Sequence, residues 1–378
     1  MSNPLIDLQQ YGQSVWYDNM QRGMIMSGEL QDLIDNDGLR GMTSNPAIFE
    51  KAITGSTDYT GTLGALANSG KSALEIYELI AVEDIQWAAD VLLPVYRQTE
   101  GRDGFISLEV SPHLAHDTAG TIREALRLNE RVGRANLMIK VPGTRAGVPA
   151  VEHLIGAGVN INITLLFGQK NYQQVAAAYM AGLEKLAASD GDVAAVASVA
   201  SFFISRIDTL ADEYIETRLQ KAERASERLA LRNLLGKTAI ANAKLAYASY
   251  QEMCEGKRWQ KLAARGARTQ RLLWASTSTK NPAYRDVIYV EELIGADTVN
   301  TIPETTFNAF REHGVARASL EEGVEEARDV MAALKELGIS MDEITSRLQE
   351  DAVRLFVEPF DKLLAAIESG RKTFPQRA

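Results

Sequence analysis

The chain has little cysteine and no long apolar run. Its 378 residues include a single cysteine, Cys254, which excludes a disulfide within the chain and is typical of a reducing compartment. The longest mostly apolar stretch covers residues 193–204, and it is too short to cross a bilayer. The first residues carry neither the basic nor the apolar segment of a signal peptide. We therefore expect a cytoplasmic protein without a membrane partner.

Basic residues are also in deficit. The chain has 40 lysines and arginines against 50 aspartates and glutamates, and its net charge is −10. This balance argues against nucleic acid as a partner, and an anionic substrate would need a locally basic pocket. Glycine-rich phosphate motifs are missing as well. No GxGxxG follows the first predicted strand, and the glycines near Gly143 and Gly147 do not have P-loop spacing.

What the chain does have is a regular alternation of short apolar runs and long helical patterns. This alternation predicts parallel strands joined by right-handed crossovers, and eight such units predict a (β/α)8 TIM barrel. The predicted strands cover residues 14–19, 39–44, 104–110, 136–141, 159–165, 194–201, 271–276 and 297–301. The clearest helical patterns cover residues 74–96, 119–132, 169–188 and 226–255. An open doubly wound sheet is the alternative architecture.

The chain is longer than the about 250 residues of a typical barrel. The excess falls in a helical insertion after the sixth strand, residues 205–270, and in a helical extension over about residues 317–374. No Pro-, Gly- or Ser-rich linker divides the chain, so residues 1–378 are predicted to form one domain. In the extension, apolar residues recur at helical spacing over 348–367, which predicts packing on the exterior or the rim of the barrel.

Lys140 is the most informative residue of the sequence. It lies in the apolar run of residues 136–141, which the Pro-Gly pair at 142–143 ends. Burial disfavours the charged form of a lysine, and a neutral amine attacks carbonyl groups. The position therefore suits Schiff-base chemistry. The alternative is a lysine that extends from a strand end to water.

Polar residues share one side of several predicted strands. Successive residues of a strand point to opposite faces, so Asn162 and Thr164 share the face opposite to their apolar neighbours, and Glu109 does the same on its own strand. Asp18 stands at the end of the first strand. Barrel enzymes place their sites at these C-terminal strand ends, so two carboxylates would flank Lys140. A structural hydrogen-bond network or a helix cap is the alternative interpretation.

Two later segments indicate an anion site. Ser201 ends the sixth strand and Arg206 follows in the next turn, while Ser276, Ser278 and Lys280 end or follow the seventh strand. Loops late in a barrel often bind phosphate, and arginine binds it with two parallel hydrogen bonds. Each segment is a weak signal alone, because runs of serine and threonine are usually caps or turns.

The histidines give little support for a metal site. His113, His116 and Asp117 lie in one loop, and two loop histidines with one aspartate are a weak ligand set. Schiff-base chemistry needs no Lewis acid. We therefore expect neither a metal nor a cofactor.

Four motifs together resemble one enzyme family. They are Thr-Ser-Asn-Pro at 43–46, Ile-Lys-Val-Pro-Gly-Thr at 139–144, Asn-Ile-Asn-Ile-Thr-Leu-Leu-Phe at 160–167 and Trp-Ala-Ser-Thr at 274–277. In this order they are highly specific, and the chain resembles transaldolases, of the longer bacterial type, along nearly its whole length. The resemblance implies a cofactor-free (β/α)8 transferase of the pentose phosphate pathway. It would move a dihydroxyacetone unit from sedoheptulose 7-phosphate to glyceraldehyde 3-phosphate, giving erythrose 4-phosphate and fructose 6-phosphate.

The resemblance also implies roles for the residues near Lys140. Lys140 would form the Schiff base with the C2 carbonyl of a ketose phosphate. Asp18 would take the hydroxyl proton as the carbon–carbon bond breaks. Glu109 and Thr164 would hold a water for proton transfer during imine formation and hydrolysis.

Substrate-binding positions follow from the same resemblance. Asn45 and Asn162 would hydrogen-bond the dihydroxyacetone unit. Ser201, Arg206 and Ser276 would position the substrate, with Arg206 on its phosphate.

One position departs from the family pattern. Many transaldolases have an arginine where this chain has Ser278. Lys280 lies two residues further on and is predicted to supply the missing charge at the phosphate.

Two alternative functions stay open. Class I fructose 6-phosphate aldolases on the same fold have, as the family pattern implies, a glutamine in place of Glu109 and a tyrosine in place of Phe203, a substrate-pocket position. This chain has neither. The second alternative is a non-catalytic barrel that binds a sugar phosphate, and the joint presence of Asp18, Glu109, Lys140 and Thr164 argues against it. The oligomeric state stays open too, with a homodimer as one candidate.

Overall fold

The computed structural model describes residues 3–66 and 69–373, with side chains described up to residue 370. Within these residues, eight parallel strands close into a barrel in chain order. The strands are β1 Gln13–Tyr17, β2 Gly41–Met42, β3 Phe105–Glu109, β4 Leu137–Pro142, β5 Ile161–Leu166, β6 Ser198–Phe203, β7 Arg271–Ala275 and β8 Thr298–Ile302. The barrel closes because β1 pairs with β8 as well as with β2. The predicted (β/α)8 architecture is confirmed.

Helices follow the strands and surround the barrel. They are α1 Pro4–Asp7, α2 Arg22–Ser27, α3 Glu29–Asp37, α4 Pro46–Gly55, α5 Thr60–Leu66, α6 Ala73–Gln98, α7 Thr118–Val132, α8 Gly147–Gly156, α9 Gln169–Ala188, α10 Ser205–Lys221, α11 Ala225–Arg232, α12 Thr238–Glu255, α13 Lys257–Ala263, α14 Ile288–Glu291, α15 Glu304–His313, α16 Val324–Glu336 and α17 Met341–Thr373. Short 3-10 helices cover Leu8–Tyr11, Pro112–Leu114 and Val193–Ala195. The predicted insertion after the sixth strand is therefore confirmed as α10 to α13.

The predicted sixth strand begins too early. The prediction starts at residue 194, whereas β6 starts at Ser198. The side chain of Asp192 accepts a hydrogen bond from the Ala194 N–H at 2.9 Å and caps a 3-10 turn there. This local bond competes with strand formation, and the apolar run alone does not reveal it.

The helix predicted over residues 226–255 is in fact two helices, α11 and α12. Gly236 lies between them with a φ of +70°, a conformation that favours glycine. Its N–H donates to Asp212 Oδ1 at 3.1 Å, and a Cβ at this position would lie 2.7 Å from the Tyr284 ring. The break is therefore fixed by contacts with α10 and with the segment after β7.

Side chains fill the barrel lumen at the N-terminal ends of the strands. Trp16 is fully buried, and a Cβ on Gly41 of the neighbouring strand would lie 2.6 Å from its ring. Nearer the strand starts, Arg271 Nη2 lies 2.8 Å from Asp103 Oδ1, and Ser14 Oγ donates to Asp103 Oδ2 at 2.8 Å. These side chains occupy the lumen at this level of the barrel.

The two C-terminal helices pack on different parts of the barrel. α16 packs on α12, whereas α17 packs on α4, α6 and α10. Gln349 Nε2 of α17 donates to the carbonyl oxygens of Gly143 and Leu165 at 3.0 and 3.1 Å, so α17 crosses the C-terminal ends of β4 and β5. The apolar spacing of residues 348–367 left open whether this segment packs on the exterior or on the rim, and these contacts place it at the rim. Residue 374, the last of the predicted extension, lies outside the described residues. No described helix is long and apolar enough to cross a membrane.

Candidate active site

Lys140 lies inside the barrel near the C-terminal end of β4. Its side chain is 6% exposed, and its Nζ lies 2.6 Å from Glu109 Oε1. Nζ also donates a hydrogen bond to the Ser44 carbonyl oxygen at 3.0 Å. Lys140 is therefore a buried lysine with a carboxylate partner, and it does not extend to bulk water.

Glu109 is the register partner of Lys140 on the neighbouring strand β3. Removal from water raises the pKa of Glu109 to about 7, although the Lys140 charge opposes this shift. The nearby Asp18 carboxyl adds to the shift. A carboxyl with this pKa can accept or give a proton near neutral pH.

Thr164 of β5 lies beside this pair. Its Oγ1 is buried and has no hydrogen-bond partner among the described residues. Thr164, Lys140 and Glu109 line a cavity of about 10 Å³, which is about the space that the centre of one water molecule needs. Because buried polar atoms are normally hydrogen-bonded, the three side chains can hold a water molecule between them.

Asp18 directly follows β1. Its Oδ1 accepts a hydrogen bond from Thr43 Oγ1 at 2.7 Å, and Thr43 Oγ1 lies 2.7 Å from Thr301 Oγ1. Removal from water raises the pKa of Asp18, while the Lys140 charge and the Thr43 hydrogen bond oppose the shift. The hydroxyl pair holds the carboxyl in place, and burial favours a proton on it, so Asp18 is suited to acid/base work.

A larger cavity of about 250 Å³ opens at the C-terminal ends of the strands, where barrel enzymes place their sites. The predicted site residues that line it are Asp18, Asn45, Lys140, Thr164, Ser201, Phe203, Arg206, Ser276, Ser278 and Lys280. Glu109 lines the smaller cavity instead. The remaining predicted residue, Asn162, lines neither of these two cavities.

The two predicted asparagines differ in what they offer a ligand. Asn162 is fully buried, and its amide is bonded to the protein: Nδ2 donates to Ser107 Oγ at 3.0 Å, and Oδ1 accepts from Ser201 Oγ at 2.7 Å. Asn45 caps α4 through Oδ1, which accepts from the Ile48 N–H at 3.0 Å. Its Nδ2 has no protein partner among the described residues. Asn45 therefore has a free donor beside the cavity, whereas Asn162 belongs to a structural network.

Two cations stand at one end of the cavity without a carboxylate partner. Arg206 makes no hydrogen bond or ion pair with any described residue, and burial lowers the pKa of its guanidinium while Asp351 opposes that shift. Lys280 Nζ donates to Ser278 Oγ at 2.8 Å, and partial burial and then the Arg206 charge lower the pKa of Lys280. Ser276, with a φ of +57°, lines the same end. Such a group of donors is suited to a phosphate.

The histidine loop has structural partners. His113 Nε2 lies 2.8 Å from Asp361 Oδ1 on α17, and Asp117 caps α7 by accepting from the Gly120 N–H at 2.9 Å. Over the part of the chain that the structure describes, no three His, Cys, Asp or Glu side chains are grouped so that they could hold a metal ion.

The chain matches a family model described as transaldolase/fructose-6-phosphate aldolase over residues 15–367. It is 46% identical over 370 residues to a protein named transaldolase from Trichodesmium erythraeum, with 97% of each chain covered. It is 44% identical over 363 residues to a transaldolase from Neisseria gonorrhoeae, with 96% of this chain and 99% of the relative covered. The chain belongs to the transaldolase family. The resemblance seen in the four motifs is thereby confirmed, and the chain is an enzyme of the transferase class.

The cavity-lining residues that were not predicted for the site include Thr301, Leu355 and Phe356. The parity rule could have indicated Thr301, because it stands near the end of β8. Nothing in the sequence indicated the other two. They come from α17, and the ring centroid of Phe356 lies 5.7 Å from Lys140 Nζ.

Proposed function

We propose that this transaldolase moves a dihydroxyacetone unit from sedoheptulose 7-phosphate to glyceraldehyde 3-phosphate through a Schiff base on Lys140. The products are erythrose 4-phosphate and fructose 6-phosphate, as in the pentose phosphate pathway. The observation that carries the proposal is the buried ion pair of Lys140 and Glu109, which lies between a water-sized cavity and a substrate-sized one.

Imine formation needs a neutral amine at Lys140. In the ion pair, the proton of the ammonium can pass to Glu109, because burial raises the pKa of that carboxyl to about 7 and makes its carboxylate a stronger base than an ordinary glutamate. The free amine then attacks the C2 carbonyl of the ketose. The water lost as the imine forms is held between Glu109 and Thr164, and the same water reacts when the product imine is hydrolysed.

Bond cleavage follows from the protonated imine. Asp18 takes the hydroxyl proton of the substrate as the carbon–carbon bond breaks, and the imine accepts the electron pair as an enamine. Erythrose 4-phosphate leaves. The enamine then attacks the aldehyde carbon of glyceraldehyde 3-phosphate, and Asp18 returns its proton to the new hydroxyl.

Substrate orientation depends on the phosphate. Arg206 and Lys280, with the hydroxyls of Ser276 and Ser278, bind it at one end of the cavity, and Asn45 donates a hydrogen bond to the dihydroxyacetone unit. Binding at both ends of the ketose aligns its carbonyl with Lys140. On this proposal Lys280 supplies the positive charge that the position of Ser278 lacks.

One assay distinguishes the proposal from its alternatives. Fructose 6-phosphate is supplied alone or with erythrose 4-phosphate, and both sedoheptulose 7-phosphate and free dihydroxyacetone are measured. A transaldolase forms sedoheptulose 7-phosphate when erythrose 4-phosphate is the acceptor, and it releases little free dihydroxyacetone without one. An aldolase releases dihydroxyacetone in every case, and a non-catalytic barrel forms no product.

Borohydride reduction tests the role of Lys140 directly. In the presence of fructose 6-phosphate it should inactivate the enzyme and add a substrate-derived mass at Lys140. Lys244 is the matched control, because it is also buried but donates to the carbonyl oxygens of Ser319 and Glu322. A label on Lys244, or full activity in Lys140→Met, would exclude the proposed Schiff base.

A further inference from the structure

α17 brings an aromatic ring to the Schiff-base lysine. Phe356 lines the substrate-sized cavity together with Leu355, and it also lines the water-sized cavity beside Glu109 and Thr164. The Lys140 Nζ lies 5.7 Å from the centroid of its ring. Phe356 is therefore a wall that both cavities share.

Contacts on both sides of Phe356 fix α17 in this position. Gln349, two turns earlier, donates to the Gly143 and Leu165 carbonyl oxygens. Leu165 has a φ of +62°, which is uncommon for a residue with a side chain. Phe360, one turn later, packs edge-on against Tyr77 with ring centroids 5.4 Å apart. The ring of Phe356 is thus held over Lys140 by the helix as a whole.

We propose that Phe356 decides whether the dihydroxyacetone unit is transferred or released. The inference rests on the proposed Schiff base at Lys140. The protonated imine is a cation, and an aromatic face within about 6 Å stabilises a cation. The same ring keeps bulk water from the enamine, which is the intermediate that waits for the acceptor aldehyde.

The reaction that Phe356 suppresses is hydrolysis of the intermediate. A proton adds to the enamine carbon and gives the imine of dihydroxyacetone. Water then adds to the imine carbon, the carbon–nitrogen bond breaks, and free dihydroxyacetone leaves as the Lys140 amine is restored. Protonation of the enamine carbon is the step that commits the unit to release, and it needs a proton donor on the side of Lys140 that Phe356 lines.

Two substitutions separate shielding from cation stabilisation. Phe356→Ala opens the face, so free dihydroxyacetone formed from fructose 6-phosphate alone should rise relative to sedoheptulose 7-phosphate formed with erythrose 4-phosphate. Phe356→Leu keeps most of the apolar bulk but removes the aromatic face. It should lower the fraction of Lys140 trapped by borohydride about two- to thirtyfold, with a smaller rise in release.

Phe360→Leu is the matched control. It changes the same residue type on the same helix, but Phe360 lines neither cavity. In this variant, the ratio of dihydroxyacetone release to transfer should stay within about twofold of the wild-type ratio. The fraction of Lys140 trapped by borohydride should also change by less than about twofold, the smallest change expected for Phe356→Leu.

Three results would overturn the inference. The first is an unchanged ratio in Phe356→Ala, and the second is an equal rise in Phe360→Leu, which would mean that only the seating of α17 matters. The third is a wild-type enzyme without any borohydride adduct on Lys140. That result would remove the proposed Schiff base as well, so the two failures can be told apart.

Discussion

Lys140 and Glu109 are register partners on adjacent strands, and their charged atoms meet 2.6 Å apart inside the barrel. Parallel register brings the two side chains to one level, and burial keeps bulk water away from them. The carboxyl keeps the amine from being a buried charge without a partner, which would be costly. At the same time it offers a base for the proton that the amine must lose before it attacks a carbonyl.

The raised pKa of Glu109 predicts an acid limb in the pH profile of kcat/KM. Below about pH 7, the pKa of this carboxyl, Glu109 is protonated and cannot accept a proton, so kcat/KM should fall as the pH is lowered. Glu109→Gln has no group that titrates there. Its kcat/KM should be at least about 100-fold lower and should lack this limb.

Glu124→Gln serves as the control for the pH profile. Glu124 is another partly buried glutamate whose pKa burial raises, but it accepts from the Ser111 N–H and does not line the substrate-sized cavity. This variant should keep the wild-type limb. If Glu109→Gln also keeps it, the limb belongs to another group, and Asp18 is the next candidate.

The unpartnered guanidinium of Arg206 predicts a phosphate-specific defect. Arg206→Ala removes a charge-assisted contact worth about 1.5–3 kcal/mol, or about 10- to 150-fold in binding. The KM for phosphorylated substrates should rise accordingly, and kcat should fall if the phosphate also orients the ketose. Lys280→Ala should show the same pattern if it supplies the charge missing at Ser278. Both are read from initial rates with phosphorylated and unphosphorylated ketoses.

Arg218→Ala is the control for lost charge. Arg218 lies on the same helix, α10, but it is exposed and paired with Glu227, so its KM values should not change. An equal loss for phosphorylated and unphosphorylated ketoses in Arg206→Ala would show that Arg206 does not bind the phosphate.

Strand parity predicted most of the candidate site. A period of two residues places Lys140, Glu109 and Thr164 inside the barrel, and closure brings the strand ends together. Strand parity shows which side chains point into the barrel, but it does not show whether a short side chain is long enough to reach the cavity. Asn162 is the register partner of Lys140, but its short amide stays with Ser107 and Ser201, whereas the lysine chain reaches the cavity.

The position of α17 over the cavity could not be predicted in the same way. The apolar spacing over residues 348–367 indicates a helix with a buried face, but it does not indicate which surface that face covers. The position of Phe356 depends on contacts distant in sequence, such as the hydrogen bonds of Gln349 to Gly143 and Leu165. Contacts of this kind leave no local pattern in the chain.

A substitution at Phe203 should increase the release of free dihydroxyacetone relative to its transfer. Phe203 lines the substrate-sized cavity and packs on Phe167 with ring centroids 5.2 Å apart. Phe203→Tyr adds a hydroxyl that can protonate the enamine carbon, so free dihydroxyacetone from fructose 6-phosphate alone should increase relative to transfer. Adding Glu109→Gln should increase it further. If the wild type already releases dihydroxyacetone as fast as it transfers it, the aldolase alternative is correct.

A buried ion pair near the starts of the strands is expected to stabilise the fold. Arg271 and Asp103 form an ion pair at the packed end of the barrel, with side chains 6% and 7% exposed. Asp103→Asn leaves the arginine buried without a carboxylate, which should cost about 3–5 kcal/mol. Asp297→Asn is the control. Asp297 pairs with Arg102 where both side chains are nearly half exposed, so the expected cost is about 0–1 kcal/mol, and asparagine tolerates its φ of +54°.

The stabilisation that Asp103 provides should decrease as the pH is lowered. Burial alone would raise the pKa of Asp103, but the Arg271 charge and the hydrogen bonds outweigh it and lower the pKa. The stabilisation by Asp103 is therefore fully present above about pH 4, the ordinary aspartate value, and is lost as the pH falls through its lowered pKa. Urea unfolding of the wild type and of both variants, at neutral and at acidic pH, measures the loss in free energy of unfolding that each substitution causes. If the difference in free energy of unfolding between the wild type and Asp103→Asn increases as the pH is lowered, Asp103 is not ionised in the pair.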